Sequence, residues 1–271
     1  MSPAHPDPGR GDRQREQKNP AAQRAGDSST AGCTLAVPGI RYGTGVEKLF
    51  ESVMVVGRGR VGMAVVERLR ERGVAVREHD ADLVLVCVPD AAISEVATEI
   101  EPGPWIAHVS GATPLSALDP HELRFGLHPL QTFTRKRGPE QLNGAWAAVT
   151  AETDEARARG LWLAERLGLR PFELPDELRP LYHAGAAIAS NYLVTLYRAA
   201  SRLLEQAGAQ PEALVPLMRR VIDNDFELTG PIERGDWKTV DAHLGAIREH
   251  APELEAMYKA LAQLTTEVAA R

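Results

Sequence analysis

The sequence predicts an α/β protein: a mostly parallel sheet covered by helices, followed by an all-helical C-terminal domain. Three observations carry this expectation. A short apolar run, Ser52-Val53-Met54-Val55-Val56, leads into Gly57-Arg58-Gly59-Arg60-Val61-Gly62 and then into a helical pattern over 63–70. Further apolar runs of strand length alternate with helical patterns to about residue 175. After Pro180 the pattern is helical to the end, broken only near Pro211, Gly230-Pro231 and Pro252. A strand, a GxGxxG turn and a helix in that order form a Rossmann-like unit. The expected organisation is a disordered extension over 1–45, a Rossmann-like domain over 46–177 and a helical domain over 178–271.

The first 45 residues are rich in Pro, Gly, Ser, Gln, Arg and Asp and show no periodicity. Such a stretch buries too little apolar surface to offset its ordering entropy. A translation start placed too far upstream is the other reading. In the glycine turn, Gly57 permits the tight bend, Gly59 lets a pyrophosphate approach the backbone, and Gly62 lets helix and strand pack closely. The helix N-terminus offers free N–H groups to phosphates. Arg58, Arg60 and Val61 complete the expected cofactor-binding turn.

The next segment is unusual. Val74-Ala75-Val76 reads as a second strand, and Glu78 and Asp80, beside Arg77 and His79, stand near the usual position of the ribose-binding acid. Only a few residues then precede the strong strand at Leu83, although a parallel crossover needs about a dozen. Either 74–76 is not a regular strand or a helix has been deleted. The adenosine-binding half is therefore abbreviated, and the choice between NADP and NAD stays open.

Strands are expected at 83–88, 105–109, around 125–127, and at 146–149. Val88-Pro89-Asp90 closes the first of these at its carboxyl end, where open α/β sheets bind ligands. Proline stops the ladder there and exposes Asp90, which either faces the cofactor or caps the helix that follows.

The chain of 271 residues is 44% hydrophobic and 25% charged, as ordinary globular proteins are. A net charge of −6 argues against a nucleic-acid partner. No apolar run approaches the roughly 20 residues of a membrane span, and the polar N-terminus lacks a secretory core. Cys33 and Cys87 show no metal-ligand spacing; no metal is expected, and a reduced, cytoplasmic setting is.

Several stretches occur in a telling order: Gly57–Gly62, Val88-Pro89-Asp90, His108-Val109-Ser110-Gly111, Leu127-His128-Pro129-Leu130-Gln131-Thr132-Phe133, Tyr182-His183-Ala184 through Ala189-Ser190-Asn191, and Leu228-Thr229-Gly230-Pro231-Ile232-Glu233-Arg234-Gly235-Asp236. Together they resemble the Rossmann-like oxidoreductases whose C-terminal half is a domain of unknown function, number 2520. That family is similar in plan to ketopantoate, hydroxyacid, 6-phosphogluconate and pyrroline-5-carboxylate enzymes. The resemblance implies an NADP- or NAD-dependent reduction of a small 2-oxo acid or related carbonyl, and a homodimer formed through the helical domain. The short second strand departs from the family.

Reducing a carbonyl needs a proton donor near the developing alkoxide and polar groups that hold the substrate. His183, near the start of the first C-terminal helix, is the first candidate donor; related dehydrogenases place a catalytic lysine there. At 100° per residue Ser190 projects from nearly the same side, with Asn191 about 80° further round. The other reading is a helix-start histidine bonded within the domain interface. His128 lies in a loop after a strand and either lines the cleft or makes a structural His-Pro turn. Ser110 sits at another strand end; no nucleophile elbow surrounds it, so a binding role outweighs a hydrolytic one. Thr229 and Arg234 are candidates to hold a carboxylate, whereas Arg234 pairing with Asp236 would merely fix the loop. Asp236 also suits a helix cap before Trp237, and His243 reads as structural. A dinucleotide sensor or scaffold that has lost turnover is the alternative to a reductase.

Overall fold

The computed structural model describes residues 48–271. Cys33 and the whole of the extension expected at 1–45 lie outside that range.

The described residues form one seven-stranded sheet. The first strand, β1 (Ser52–Val56), feeds the glycine turn and helix α1 (Arg60–Glu71). Then come β2 (Ala75–Val76), β3 (Leu83–Val86), α2 (Ile93–Glu99), β4 (Trp105–His108) and β5 (Arg124–Pro129). β6 (Trp146–Thr150), α3 (Asp154–Leu167) and β7 (Arg170–Glu173) complete the sheet region. Spatial order is β2-β1-β3-β4-β5-β6-β7; β1 to β5 run parallel, and β6 and β7 run opposite to them. This is a Rossmann-like fold with a helical C-terminal region.

Burial explains the strand patterns. All four residues of β3 and all four of β4 are buried, as in strands covered on both faces. On one face Leu69 of α1 and Trp162 and Leu163 of α3 meet Phe50, Phe125 and Leu127. The Phe50 and Trp162 rings pack edge to face at 5.6 Å between centroids. On the other face Ile93 and Ala97 of α2 cover Val84, Val86 and Ile106. Cys87 belongs to the first core, and burial pushes its thiol up to about 12, so it behaves as a small apolar side chain.

The ambiguity at 74–76 is resolved. Ala75 and Val76 do pair in parallel with Ser52 and Val53, but the strand is two residues long. The chain then doubles back through Arg77–Asp82 beneath the start of β1. There Asp82 Oδ2 accepts hydrogen bonds from the Glu51 and Ser52 N–H groups, both at 2.8 Å. No crossover helix is needed because β2 ends near the level of Val53, leaving Met54–Val56 without a partner on that side.

From Arg179 onward the chain is helical: α4 (Arg179–Ala187), a π-helical turn (Ile188–Tyr192), α5 (Leu193–Gln206), α6 (Leu214–Asp223), α7 (Trp237–His250) and α8 (Glu255–Ala269). Asp236 caps α7 by accepting from Thr239 N–H at 3.1 Å. His243 Nδ1 lies 2.7 Å from Tyr258 Oη, which ties α7 to α8.

Candidate functional site

The strand order reverses at β1, with β2 on one side and β3 on the other. This opens a crevice at the carboxyl edge of the sheet, where such folds take their ligands. Two of the turn's glycines have a measurable reason to be there. Gly57 adopts φ +102°, and a Cβ on it would stand 2.5 Å from the Cys87 carbonyl oxygen. A Cβ on Gly62 would lie 2.0 Å from the Gly57 carbonyl oxygen. A Cβ on Gly59 would meet nothing within 4 Å, so the turn is open to a ligand at that point. No side chain caps α1 and no acidic residue occupies its first turn. Arg58, Arg60 and Val61 complete the turn, and Arg58 Nη2 reaches Glu78 Oε1 at 3.6 Å. These features suit a pyrophosphate.

Val88, Pro89 and Asp90 flank the same crevice at the end of β3. The alternative of Asp90 as a helix cap fails: its carboxylate makes no capping bond. Burial lowers the proton affinity of His128 and Arg179, and the Asp90 charge offsets a small part of that.

The ends of β4 and β5 bring the histidines together. A Cβ on Gly111 would lie 2.6 Å from His183 Cδ2 and 2.9 Å from His128 Cε1, so a glycine is required where the two rings converge. Their centroids are 5.9 Å apart, nearly perpendicular. His128 Nδ1 lies 2.7 Å from Tyr182 Oη. Burial, then His183 and Arg179, push His128 down to about 4, so it is neutral at ordinary pH. Burial pushes the Tyr182 phenol up to about 12. A cavity of about 490 Å³ opens beside them, lined by His128, Tyr182, His183, Ser190 and Asn191 among others. Ser190 and Asn191 stand on the π-helical turn, a feature frequent at functional sites. Ser190 Oγ donates back to the Ala186 carbonyl at 2.7 Å, while Asn191 is exposed.

Three other candidates lie apart from this cavity. Ser110 is buried, and its Oγ is engaged in its own turn, donating to Thr113 Oγ1 at 2.8 Å and accepting from Thr113 N–H at 3.1 Å. Thr229 and Arg234 are exposed on the loop before α7. Arg234 and Asp236 form no ion pair within 4.0 Å, so the loop-fixing pair is absent. Among the described residues no three His, Cys, Asp or Glu side chains gather as metal ligands.

Two groups escaped sequence reasoning. Tyr182 was visible only as the neighbour of His183. Arg179 is fully buried, a state that an arginine's residue type argues against. Its Nε donates to the Thr113 carbonyl at 2.8 Å and its Nη1 to Thr150 Oγ1 at 2.7 Å. Its Nη2 donates to the Ser110 carbonyl. Asp176, 3.9 Å from Nε, accepts from Leu115 N–H. The two side chains thus bind the start of α4 to the Ser110–Leu115 segment and hold Tyr182 and His183 against Gly111.

Comparison with known proteins adds a family model. Residues 145–265 match the model described as Domain of unknown function (DUF2520). The match spans less than half of the 271-residue chain. The matched segment includes β6 to α7 and most of α8, hence Tyr182, His183, Ser190 and Asn191, while the glycine turn precedes it. No curated protein matches the sequence. Among solved structures, the chain is similar to protein TM1727 from Thermotoga maritima, with 26% identity over 80% of this chain and 98% of that one, TM-score 0.66. Protein BF3122 from Bacteroides fragilis, provisionally described as an NADP oxidoreductase, is 20% identical over 80% and 98%, TM-score 0.68. 1-Pyrroline-5-carboxylate reductase from Streptococcus pyogenes is 15% identical over 80% and 97%, TM-score 0.53. These likenesses show one fold, a Rossmann-like sheet followed by a helical region.

Proposed function

We propose that this protein is an oxidoreductase that uses NADP or NAD to reduce a small 2-oxo acid or related carbonyl, ketopantoate-like compounds included. The observation that carries the reading is an open, uncapped glycine turn on the same sheet edge as a histidine-lined cavity. The NADP oxidoreductase description of the B. fragilis protein, and the reductase name of the S. pyogenes one, point the same way.

Gly57–Gly62 would hold the pyrophosphate, and Val88, Pro89 and Asp90 would border the nicotinamide half. When bound, the cofactor supplies the hydride. The chain's own residues do the rest. His183 gives a proton to the carbonyl oxygen as negative charge develops there. His128, neutral and fixed by Tyr182, contributes a hydrogen bond to the same oxygen. Asn191 and Ser190 orient the substrate on the helix side. Ser110 positions the Gly111 backbone, and Thr229 and Arg234 have no part within this cavity.

A dinucleotide sensor without turnover is the second reading, favoured by the two-residue β2. Titrating the protein with NADPH and NADH, then assaying a panel of small 2-oxo acids, separates the two. Binding with turnover supports the reductase; tight binding without turnover on any carbonyl supports the sensor.

The reading includes a homodimer in a cytoplasmic setting. Among the described residues no helix is long and apolar enough to cross a membrane. Leu217 and Ile222 of α6 and Leu264 and Val268 of α8 are all more than half exposed, and neither helix has a buried residue. Apolar surface on this scale calls for a cover, and a second copy supplies it. Light scattering should give twice the chain mass; a monomer at micromolar concentration would contradict the dimer.

A further inference from the structure

A second cavity, about 540 Å³, lies on the other flank of the glycine turn, between α1 and the loop Thr134-Arg135-Lys136-Arg137-Gly138. Arg58, Arg60, Arg135, Lys136 and Arg137 line it, against one carboxylate, Glu67. Arg58 is engaged by Glu78, and Arg137 by Glu140 at 3.5 Å. The other three cations have no carboxylate partner among the described residues; Arg60 donates only to the Phe133 carbonyl, at 3.5 Å.

The loop that presents these charges is built rather than loose. Gln141 is 2% exposed, and its side chain serves as the loop's hub. Its Oε1 accepts from Thr134 N–H at 2.8 Å, and its Nε2 donates to the carbonyls of Thr134, Arg137 and Gly138 at 3.2, 2.7 and 3.0 Å. Buried Arg68 donates to the Pro139 carbonyl at 2.7 Å. With carbonyls turned inward to Gln141 and Arg68, the basic side chains project outward toward the uncapped N-terminus of α1. Holding like charges together in this way is unfavourable unless an anion neutralises them.

We propose that this cavity is a phosphate-binding site, with Arg60, Arg135 and Lys136 as its ligands. A single carboxylate would leave most of the positive charge unbalanced, whereas a phosphate monoester or a pyrophosphate matches it. Two sources share this chemistry. One is the cofactor, which rests on the proposed function; the other is a phosphate carried by the substrate. The same loop begins at Leu130, Gln131 and Thr132, which line the histidine cavity, so a substrate reaching from that cavity would follow the loop to these cations.

The test compares the full chain with the double variant Arg135→Ser, Lys136→Ser; both side chains are exposed, and an unchanged Tm confirms folding. Inorganic pyrophosphate, NADPH and NADH are titrated by calorimetry, and pyrophosphate again in the presence of saturating NADPH. The proposal expects pyrophosphate to bind the wild type and to bind the variant at least about tenfold more weakly, as befits two lost charge-assisted bonds. If the cofactor is the source, Kd for NADPH rises by a similar factor and saturating NADPH blocks pyrophosphate. If the substrate is, cofactor affinity is unchanged and pyrophosphate still binds the NADPH complex. Pyrophosphate that does not bind the wild type, or binds both proteins alike, overturns the site. Wild type that takes pyrophosphate but neither dinucleotide leaves the site standing and instead contradicts the proposed function.

Discussion

His183→Ala is expected to lower kcat by about 10²–10⁴ while leaving the affinity for the cofactor within about twofold. Three titratable groups face the proposed carbonyl position. His128, pushed down to about 4, is a neutral imidazole at neutral pH, suited to a hydrogen bond rather than to acid catalysis. Tyr182, pushed up to about 12, stays protonated 2.7 Å from His128 Nδ1. His183 is the proposed donor on geometry: Gly111 lets its ring approach the end of β4 beside His128. The glycine turn is separate from this ring, so cofactor affinity should hold. The measurement is a steady-state assay with the most active 2-oxo acid, beside a fluorescence titration of the cofactor. His128→Asn should cost less, because it removes a hydrogen-bonding group and not the proton source. Retention of more than half of kcat in His183→Ala would remove that residue from the chemistry.

Arg179→Met is expected to destabilise the fold by about 3–5 kcal/mol, the usual range for breaking a buried, multiply bonded charge. The substitution keeps much of the volume but leaves the Ser110 and Thr113 carbonyls without their donor inside the protein. Arg179→Lys should recover only part, since one ammonium cannot reproduce the divergent guanidinium bonds. Gly126→Ala tests the same region from the other side, because a Cβ there would stand 2.8 Å from Arg179 Nη1. Urea denaturation at neutral pH reads all three. A loss below about 1 kcal/mol for Arg179→Met would mean that the guanidinium is not the brace between α4 and the β4 loop.

Much of this was legible in the sequence. Buried parallel strands such as Leu83–Val86 are continuous apolar runs, and the glycine spacing reflects contacts that only glycine can make. Strand β7 was not legible: Arg170-Pro171-Phe172-Glu173 has a proline and two charges, and it survives as a strand because it lies at the sheet edge. The reversed direction of β6 leaves no trace in its residues, since direction is set by the connection. At the site, His183, Ser190 and Asn191 could be grouped by helical spacing. The π-helical turn at Ile188–Tyr192 departs from that spacing, and no residue pattern announced it. Arg179 was missed because nothing local distinguishes a buried arginine from a solvated one; its partners are 29 to 69 residues away in the chain.

The most direct test of the central claim is a titration of the purified protein with NADPH and NADH, run beside Gly62→Val. A Cβ at that position meets the Gly57 carbonyl oxygen at 2.0 Å, so the variant cannot keep the turn closed. The account predicts saturable binding of at least one dinucleotide by the wild type and its loss in the variant. Failure of the wild type to bind either dinucleotide at millimolar concentration would contradict it.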